Sequence, residues 1–356
     1  MHILVMLPRW LGDVVMATPM LRAVRRHFGC AARITATVKP AFVPLFDGTD
    51  WIDGFVPYDK RSADRSLRTL AVARRLRRER PDVALLVPNS LSSATLAWLA
   101  GARRRVGFAR HGRRWLLTDP LVVPRERGRI VPQSTASHAM DLAARIGVAR
   151  EPLTLELKTT AADEARADAV LATLFADRGT GPLVVLNDNG AYGPAKSWGV
   201  DAFAGLARIV LERVPDARLL VHCGPADRAE ARECARRAAD RRVASLADVP
   251  ELSLGLAKAL VRRAAAVVTT DSGPRHLAAA FGTPTVVLLG PMDPRLSRSD
   301  HRWLEEVRLD LACSPCGRRA CPLDHHDCMR LLAPADVARI MLDLVDRASA
   351  AVCRVA

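Results

Sequence analysis

Short apolar runs alternate with helical stretches along the whole chain, and each run is released through a turn rich in glycine, proline or small polar residues. The first, His2–Leu7, has no polar alternation. That pattern predicts a strand buried on both faces, as in a parallel sheet covered by helices. Residues 8–12 then turn the chain, and a helix is expected from Asp13 to Phe28. Strands follow at 33–38 and 83–87, with an Arg-rich helical stretch at 64–80 between them. Its Leu67, Leu70 and Leu76 mark a partly apolar face, and most of its arginines read as a solvated one. A helix at 91–100, an exposed segment at 123–137 and a helix at 138–146 complete the first half. A linker strand, a helix and a Gly-rich stop fill 151–180. The alternation then restarts, with strands at 183–186, 217–222, 266–270 and 285–289 and helices at 200–213, 226–239 and 252–263. An amphipathic helix at 334–348 closes the chain. The pattern is that of an α/β protein built from two βα-alternating units. The expected domains are 1–165, 166–333 and a terminal segment, 334–356, that packs back on the first.

The stretch from Ala264 to Arg295 carries the most chemistry. Asp271, Ser272 and Gly273 are turn and N-cap types, Pro274 suits the start of a helix, and a short apolar helix runs on to Phe281. Such a compressed β-turn-α-turn-β unit puts the backbone N–H groups of Ser272 to His276 at the carboxyl edge of a parallel sheet. There the helix dipole favours an anion. The plainer reading is that these residues only cap a helix. His276 within one turn, and a second loop at Gly290-Pro291 on the same edge, point instead to a nucleotide diphosphate. Lys196 lies in the glycine-containing loop 187–198, either reaching a phosphate from that edge or standing at the surface. Asp13 opens the first helix, as an ordinary cap or as a catalytic carboxylate.

Composition narrows the class. The 356 residues are 49% hydrophobic and 4% aromatic, enough for two cores. No apolar run is long enough to cross a bilayer, and the opening MHILVMLPRWLGD is interrupted too early for a signal peptide, so a cytoplasmic protein is expected. The net charge of +15 is uneven: residues 1–150 hold 26 Lys and Arg against 11 Asp and Glu, and residues 151–356 hold 27 of each. The first half therefore calls for an anionic partner, and its clusters at 103–105 and 110–114 are expected to grip one. Only five of the 53 basic residues are Lys, a bias that coding composition also produces. A pI near 10.4 raises nucleic-acid binding as a rival. The chain lacks aromatic stacking runs and a recognition helix, so that reading is set aside.

Three segments, LPRWLGDVVMATP at 7–19, GAYGPAKSW at 190–198 and the stretch 270–294, together resemble glycosyltransferase family 9, the ADP-heptose-dependent lipopolysaccharide heptosyltransferases, and within it the heptosyltransferase II branch. The resemblance covers nearly the whole chain in the family's order. It implies a GT-B fold of two Rossmann-like domains facing across a cleft, with acceptor bound by the first and nucleotide sugar by the second. It implies an inverting transfer of heptose to the lipopolysaccharide inner core at the cytoplasmic face of the inner membrane, with no cofactor required for catalysis. Asp13 matches the family's general base, with Arg9 and Gly12 of the same turn as acceptor contacts. Lys196 and Tyr192 match donor phosphate contacts, Asp271, Ser272, Gly273 and His276 the residues that hold heptose and diphosphate, and Leu252 falls near the adenine. A helix N-terminus weakens a carboxylate as a base, which leaves Asp13 an electrostatic role as well.

Two departures adjoin the donor site. The loop reads Asn189-Gly190-Ala191 where the family has P-G-A, and Arg275 stands where an apolar residue, often Met, is usual. They leave room for another nucleotide sugar and glycan acceptor. Finally, Cys313, Cys316, Cys321 and Cys328, with His325 and His326 among them, have the soft ligands for structural zinc or an iron–sulfur cluster. Their spacing fits no standard ribbon, and reduced thiols or local disulfides are the other readings.

Overall fold

The computed structural model describes residues 1–176, 178–188 and 192–353. Its contacts divide the chain into two units, Met1–Lys158 with Arg295–Asp300, and Thr159–Pro294 with His301 onward.

The first unit contains strands β1 (His2–Met6), β2 (Arg33–Val38), β3 (Gly54–Pro57), β4 (Val83–Leu86), β5 (Arg104–Phe108) and β6 (Asp119–Leu121), and a small hairpin of β7 (Arg125–Glu126) and β8 (Arg129–Ile130). Its helices are α1 (Leu11–Met16), α2 (Thr18–Phe28), α3 (Thr69–Glu79), α4 (Leu91–Leu99) and α5 (Thr135–Ala144). The large sheet is parallel, in the order β3-β2-β1-β4-β5-β6. All of β1 is buried. Leu4 and Met6 pack into one cluster with Val72 and Leu76 of α3 and Leu96 of α4. Ile3 and Val5, equally buried, point by strand alternation to the opposite face. The unbroken apolar run at the start thus has its physical cause in a sheet covered on both sides.

The second unit comprises α6 (Ala161–Leu174), β9 (Leu183–Asn187), α7 (Val200–Arg213), β10 (Arg218–Val221), α8 (Arg228–Ala238), β11 (Val243–Ser245), α9 (Leu254–Arg263), β12 (Ala266–Thr270), α10 (Gly273–Phe281), β13 (Thr285–Leu288), β14 (Leu304–Val307), α11 (Asp327–Arg330) and α12 (Pro334–Cys353). Its sheet repeats the first, parallel in the order β11-β10-β9-β12-β13-β14. In both sheets the strand order reverses beside the first strand, between β1 and β4 and between β9 and β12. Connections leave such a point in opposite directions, and the crevice this opens at the carboxyl edge is where α/β sheets take ligands.

Several elements differ from expectation. The helix expected from Asp13 to Phe28 is two: α1 begins at Leu11, and Pro19, which has no N–H to donate, stands in the first turn of α2. Helix α5 begins at Thr135, three residues early, because the Ser134 hydroxyl accepts the Ser137 N–H. Residues 151–158 form no strand. The boundary expected at 165/166 would cut α6, which lies whole in the second unit. That helix opens on a reciprocal cap in which Thr160 accepts from Asp163 N–H and the Asp163 carboxylate accepts from Thr160 N–H. Helix α12 was expected on the amino-terminal domain. Its main contacts are with α7, β12, β13 and β14 of the second unit, and its Val337, Ala338, Met341 and Leu344 are buried.

The α6–α9 packing has one tight point. A Cβ at Gly255 would overlap the Asp163 carboxylate, and the ammonium of Lys258, whose side chain is fully buried, lies 3.6 Å from the same group. Gly255→Ala is therefore expected to destabilise the chain by about 1–3 kcal/mol, measured by urea unfolding. A change below about 0.5 kcal/mol would show that this contact does not set the packing.

Candidate functional site

The carboxyl ends of β9 and β12 lie side by side, with Asn187 in register with Thr269. The Asn187 amide donates to the hydroxyls of Thr269 (3.0 Å) and Ser272 (2.9 Å). Ser272 is the N-cap residue of α10, yet its hydroxyl makes no cap bond. The capping role that the sequence allows is thus not the one its side chain performs. Helix α10 presents its positive end to the edge without a side-chain cap, and Gly273 is its first residue.

Asp271, between β12 and α10, is the electrostatic centre. Lys196 donates to its carbonyl at 2.6 Å and to Oδ2 at 2.9 Å, and Arg275 donates to Oδ1 at 2.8 Å. Burial alone would raise the Asp271 pKa, but the charges of Arg275 and Lys196 outweigh it and hold the carboxyl well below the usual range. His276 is buried in the same turn. Desolvation first, then the Arg275 guanidinium, push its pKa down to about 3, so the imidazole is neutral.

Lys196 arrives from a loop fixed at both ends. Asp188 accepts from Ser197 Oγ, Trp198 N and Gly199 N, all within 2.9 Å, and Trp198 Nε1 donates to Leu332 O. Gly193 has φ +154°, and a Cβ there would come within 2.5 Å of Arg319 O, so only glycine fits the approach. Tyr192 places its ring 5.0 Å from the Lys196 ammonium and donates its hydroxyl to Gly317 O. Residues 189–191, with the departure from the family loop, lie outside the described residues. Leu252 is half-buried just before the Ser253 cap of α9. It follows β11, three strands from β12, and takes no part in the hydrogen bonds of the Asp271 cluster.

The cysteine segment braces this loop. His326 Nε2 bonds to Ala195 O at 2.8 Å, Ala195 N donates to Arg319 O, and Ser314 Oγ donates to Gly290 O. Cys313, Cys316, Cys321 and Cys328 are free thiols. His325 Nδ1 accepts from Asp327 N. Among the described residues no group of three or more His, Cys, Asp or Glu is placed to hold a metal ion. The zinc and iron–sulfur readings therefore find no support among the described residues.

At the matching edge of the first unit, Asp13 lies in the first turn of α1, after Trp10 at the cap position. The Thr135 hydroxyl, at the start of α5, donates to Asp13 Oδ1 at 2.8 Å and orients the carboxylate. Arg9 is exposed and Gly12 buried in the same turn. The two basic clusters separate, because β5 runs between them. At its amino end Arg103 pairs with Asp82, Arg104 pairs with Asp119, and Arg105 donates to the carbonyls of Ala102 and Leu116. Arg104 and Arg105 are thus held by the fold, while Arg103, 80% exposed, stays open to solvent. At the carboxyl end Arg113 is fully buried and donates to Phe108 O, Pro88 O, Ser90 O, Ser93 Oγ and Asn89 Oδ1. Burial, then Arg110, push its pKa down to about 10. It ties the loops after β4 and β5 together and is no ligand for an external anion, which leaves Arg110 and Arg114 as the outer members of that cluster.

Residues 69–326, more than half of the chain, match the sequence profile of glycosyltransferase family 9 (heptosyltransferase). The chain belongs to glycosyltransferase family 9. Among relatives of this family 9 chain, lipooligosaccharide heptosyltransferase 2 of Campylobacter jejuni serotype O:2 is 26% identical over 95% of this chain and 96% of its own. Lipopolysaccharide heptosyltransferase 2 of Escherichia coli K12 is 27% identical over 83% of this chain and 84% of its own. The solved structure of E. coli ADP-heptose lps heptosyltransferase II superposes with a TM-score of 0.79 at 23% identity, covering 98% of this chain and all of that one. The fold is GT-B, with two Rossmann-like domains, and the family 9 protein is a glycosyltransferase.

The buried imidazoles of this family 9 enzyme contribute to its acid sensitivity. The unfolded chain protonates histidine as pH falls through about 6.5. The folded chain resists until about 4 at His222, by burial, and about 3 at His276. Unfolded chains thus bind more protons in that window, and stability should fall on acidification by up to about 1.4 kcal/mol per pH unit for each group. Urea midpoints at pH 7.5, 6 and 5 read this out; a midpoint that holds or rises toward pH 5 would show that folding leaves these groups free to protonate.

Proposed function

We propose that this glycosyltransferase moves heptose from ADP-heptose to the lipopolysaccharide inner core, with inversion at the anomeric carbon. The observation that carries the reading is the Lys196 ammonium held on Asp271 beside the N-terminus of α10, at the switch point of the second sheet. A leaving ADP develops negative charge on its diphosphate. An ammonium and an oriented helix end, both fixed before the reaction, stabilise that charge with little reorganisation. The names of the relatives supply the sugar and the glycan; the family match supplies the class of transfer.

In the proposed reaction an acceptor hydroxyl oxygen bonds to the anomeric carbon as the bond from that carbon to the ADP oxygen breaks. Asp13 takes the hydroxyl proton, its carboxylate oriented by Thr135. Single displacement from the opposite face inverts the configuration. Asp271, Ser272, Gly273 and His276 hold heptose and diphosphate, Tyr192 flanks Lys196, and Leu252 borders the adenine. Arg9 and Gly12 meet the acceptor. The basic excess of residues 1–150 draws an anionic, lipid-linked oligosaccharide to that unit. No described helix is long and apolar enough to cross a membrane. The proposed enzyme would meet its lipid-linked acceptor at the cytoplasmic membrane surface as a peripheral protein, its basic first unit facing the anionic glycan.

The buried Arg275 beside the proposed donor site keeps one rival in view, a family 9 transferase with another nucleotide sugar. Calorimetric titration with ADP, UDP and GDP separates the two. The reading expects ADP to bind at least about 10-fold more tightly than the others, and Lys196→Ala to weaken it by a similar factor. A preference for UDP or GDP would keep the transferase and discard ADP-heptose.

A further inference from the structure

Arg275 is tied directly to the candidate donor site. Arg275 stands in the first turn of α10 with its side chain only 3% exposed. One end of its guanidinium meets Asp271 Oδ1 at 2.8 Å; the other meets Glu306 Oε1, on β14, at 2.8 Å. Asp271 in turn holds Lys196 through Oδ2. Successive contacts therefore join four charges of alternating sign, Glu306, Arg275, Asp271 and Lys196, from an outer strand to the edge where the diphosphate would sit.

Exposure decides what these contacts do. The side chains of Lys196, Asp271 and Arg275 are 11%, 10% and 3% exposed, whereas Glu306, the farthest from Lys196, is 31% exposed. Charges in the buried part are weakly screened, and the outer carboxylate is screened more. Without Arg275, Asp271 would be free to turn both oxygens onto the Lys196 ammonium and neutralise it. Arginine suits the task because its planar fork fixes the plane of a carboxylate while reaching a second partner.

We infer that Arg275 is a positioning residue for the donor diphosphate, acting through Asp271 to hold the Lys196 ammonium in place and to keep its charge from being neutralised. The inference rests on Lys196 being a diphosphate contact, as proposed above.

A double-mutant cycle on ADP binding tests it, using wild type, Arg275→Met, Arg275→Lys, Lys196→Ala and the Arg275→Met/Lys196→Ala pair, with thermal unfolding recorded for each. Arg275→Met should weaken ADP by about 10-fold and Arg275→Lys by no more than about 3-fold. On the Lys196→Ala background, Arg275→Met should cost less than about 2-fold, because the group through which it acts is gone. If Met at 275 prevents folding, Arg275→Gln, which keeps hydrogen bonding and loses the charge, goes through the same cycle. Losses that multiply independently, or an Arg275→Met protein that binds ADP as the wild type does, would overturn the inference and leave the donor reading standing. Failure of the wild type itself to bind ADP would remove both.

Discussion

The candidate donor site depends on one carboxylate held between two cations. Asp271 is buried where an isolated carboxylate would be expensive, and it is ionised only because Lys196 and Arg275 approach it from two sides. Each partner comes from a different element: the loop after β9, the first turn of α10, and, through Arg275, β14. The ion network is therefore also a structural joint. It fixes the switch point of the second sheet, and the positive end of α10 is delivered to the same place by the same residues. The Asn187 amide completes the joint by tying Thr269 to Ser272.

The first unit solves a similar problem with a different charge. Its sheet has the same order and the same switch point, with Asp13 after β1 and Asn89 and Ser90 after β4. Its buried ion is a cation, Arg113, satisfied by backbone carbonyls and by Ser93 and Asn89. A basic excess is thus not a measure of ligand-binding capacity. Part of it is consumed in holding loops, as at Arg104, Arg105 and Arg113, and the remainder is what an anionic acceptor would meet.

Much of this architecture is legible in the order of residues alone. Strands buried on both faces announce themselves by unbroken apolar runs, and β1, β2, β9 and β12 stand within a residue of their expected bounds. The edge strands β3, β6, β11 and β14 are not legible, since a short strand such as LEEV is only half-buried and carries no period. That loss hides Glu306. Likewise, β5 is concealed by Arg104 and Arg105, whose charges are satisfied locally by Asp119 and by carbonyls. Turn chemistry and motif nominate Asp271, Lys196 and Asp13, but Thr135, 122 residues from Asp13, and Asn187 are long-range partners that no local pattern reveals. The cysteine run leaves several readings open, and the structure shows Cys313, Cys316, Cys321 and Cys328 as free thiols, the reduced form among them.

The central claim is that this chain transfers heptose with Asp13 as the base. The most direct measurement incubates wild type and Asp13→Asn with ADP-heptose and a heptose-accepting lipopolysaccharide core, following acceptor mass and free ADP together. The account predicts one heptosyl gain per ADP released by the wild type, and turnover lower by about 10²-fold or more in the variant with ADP affinity nearly unchanged. Undiminished transfer by Asp13→Asn, or ADP release with no gain in acceptor mass, would contradict it.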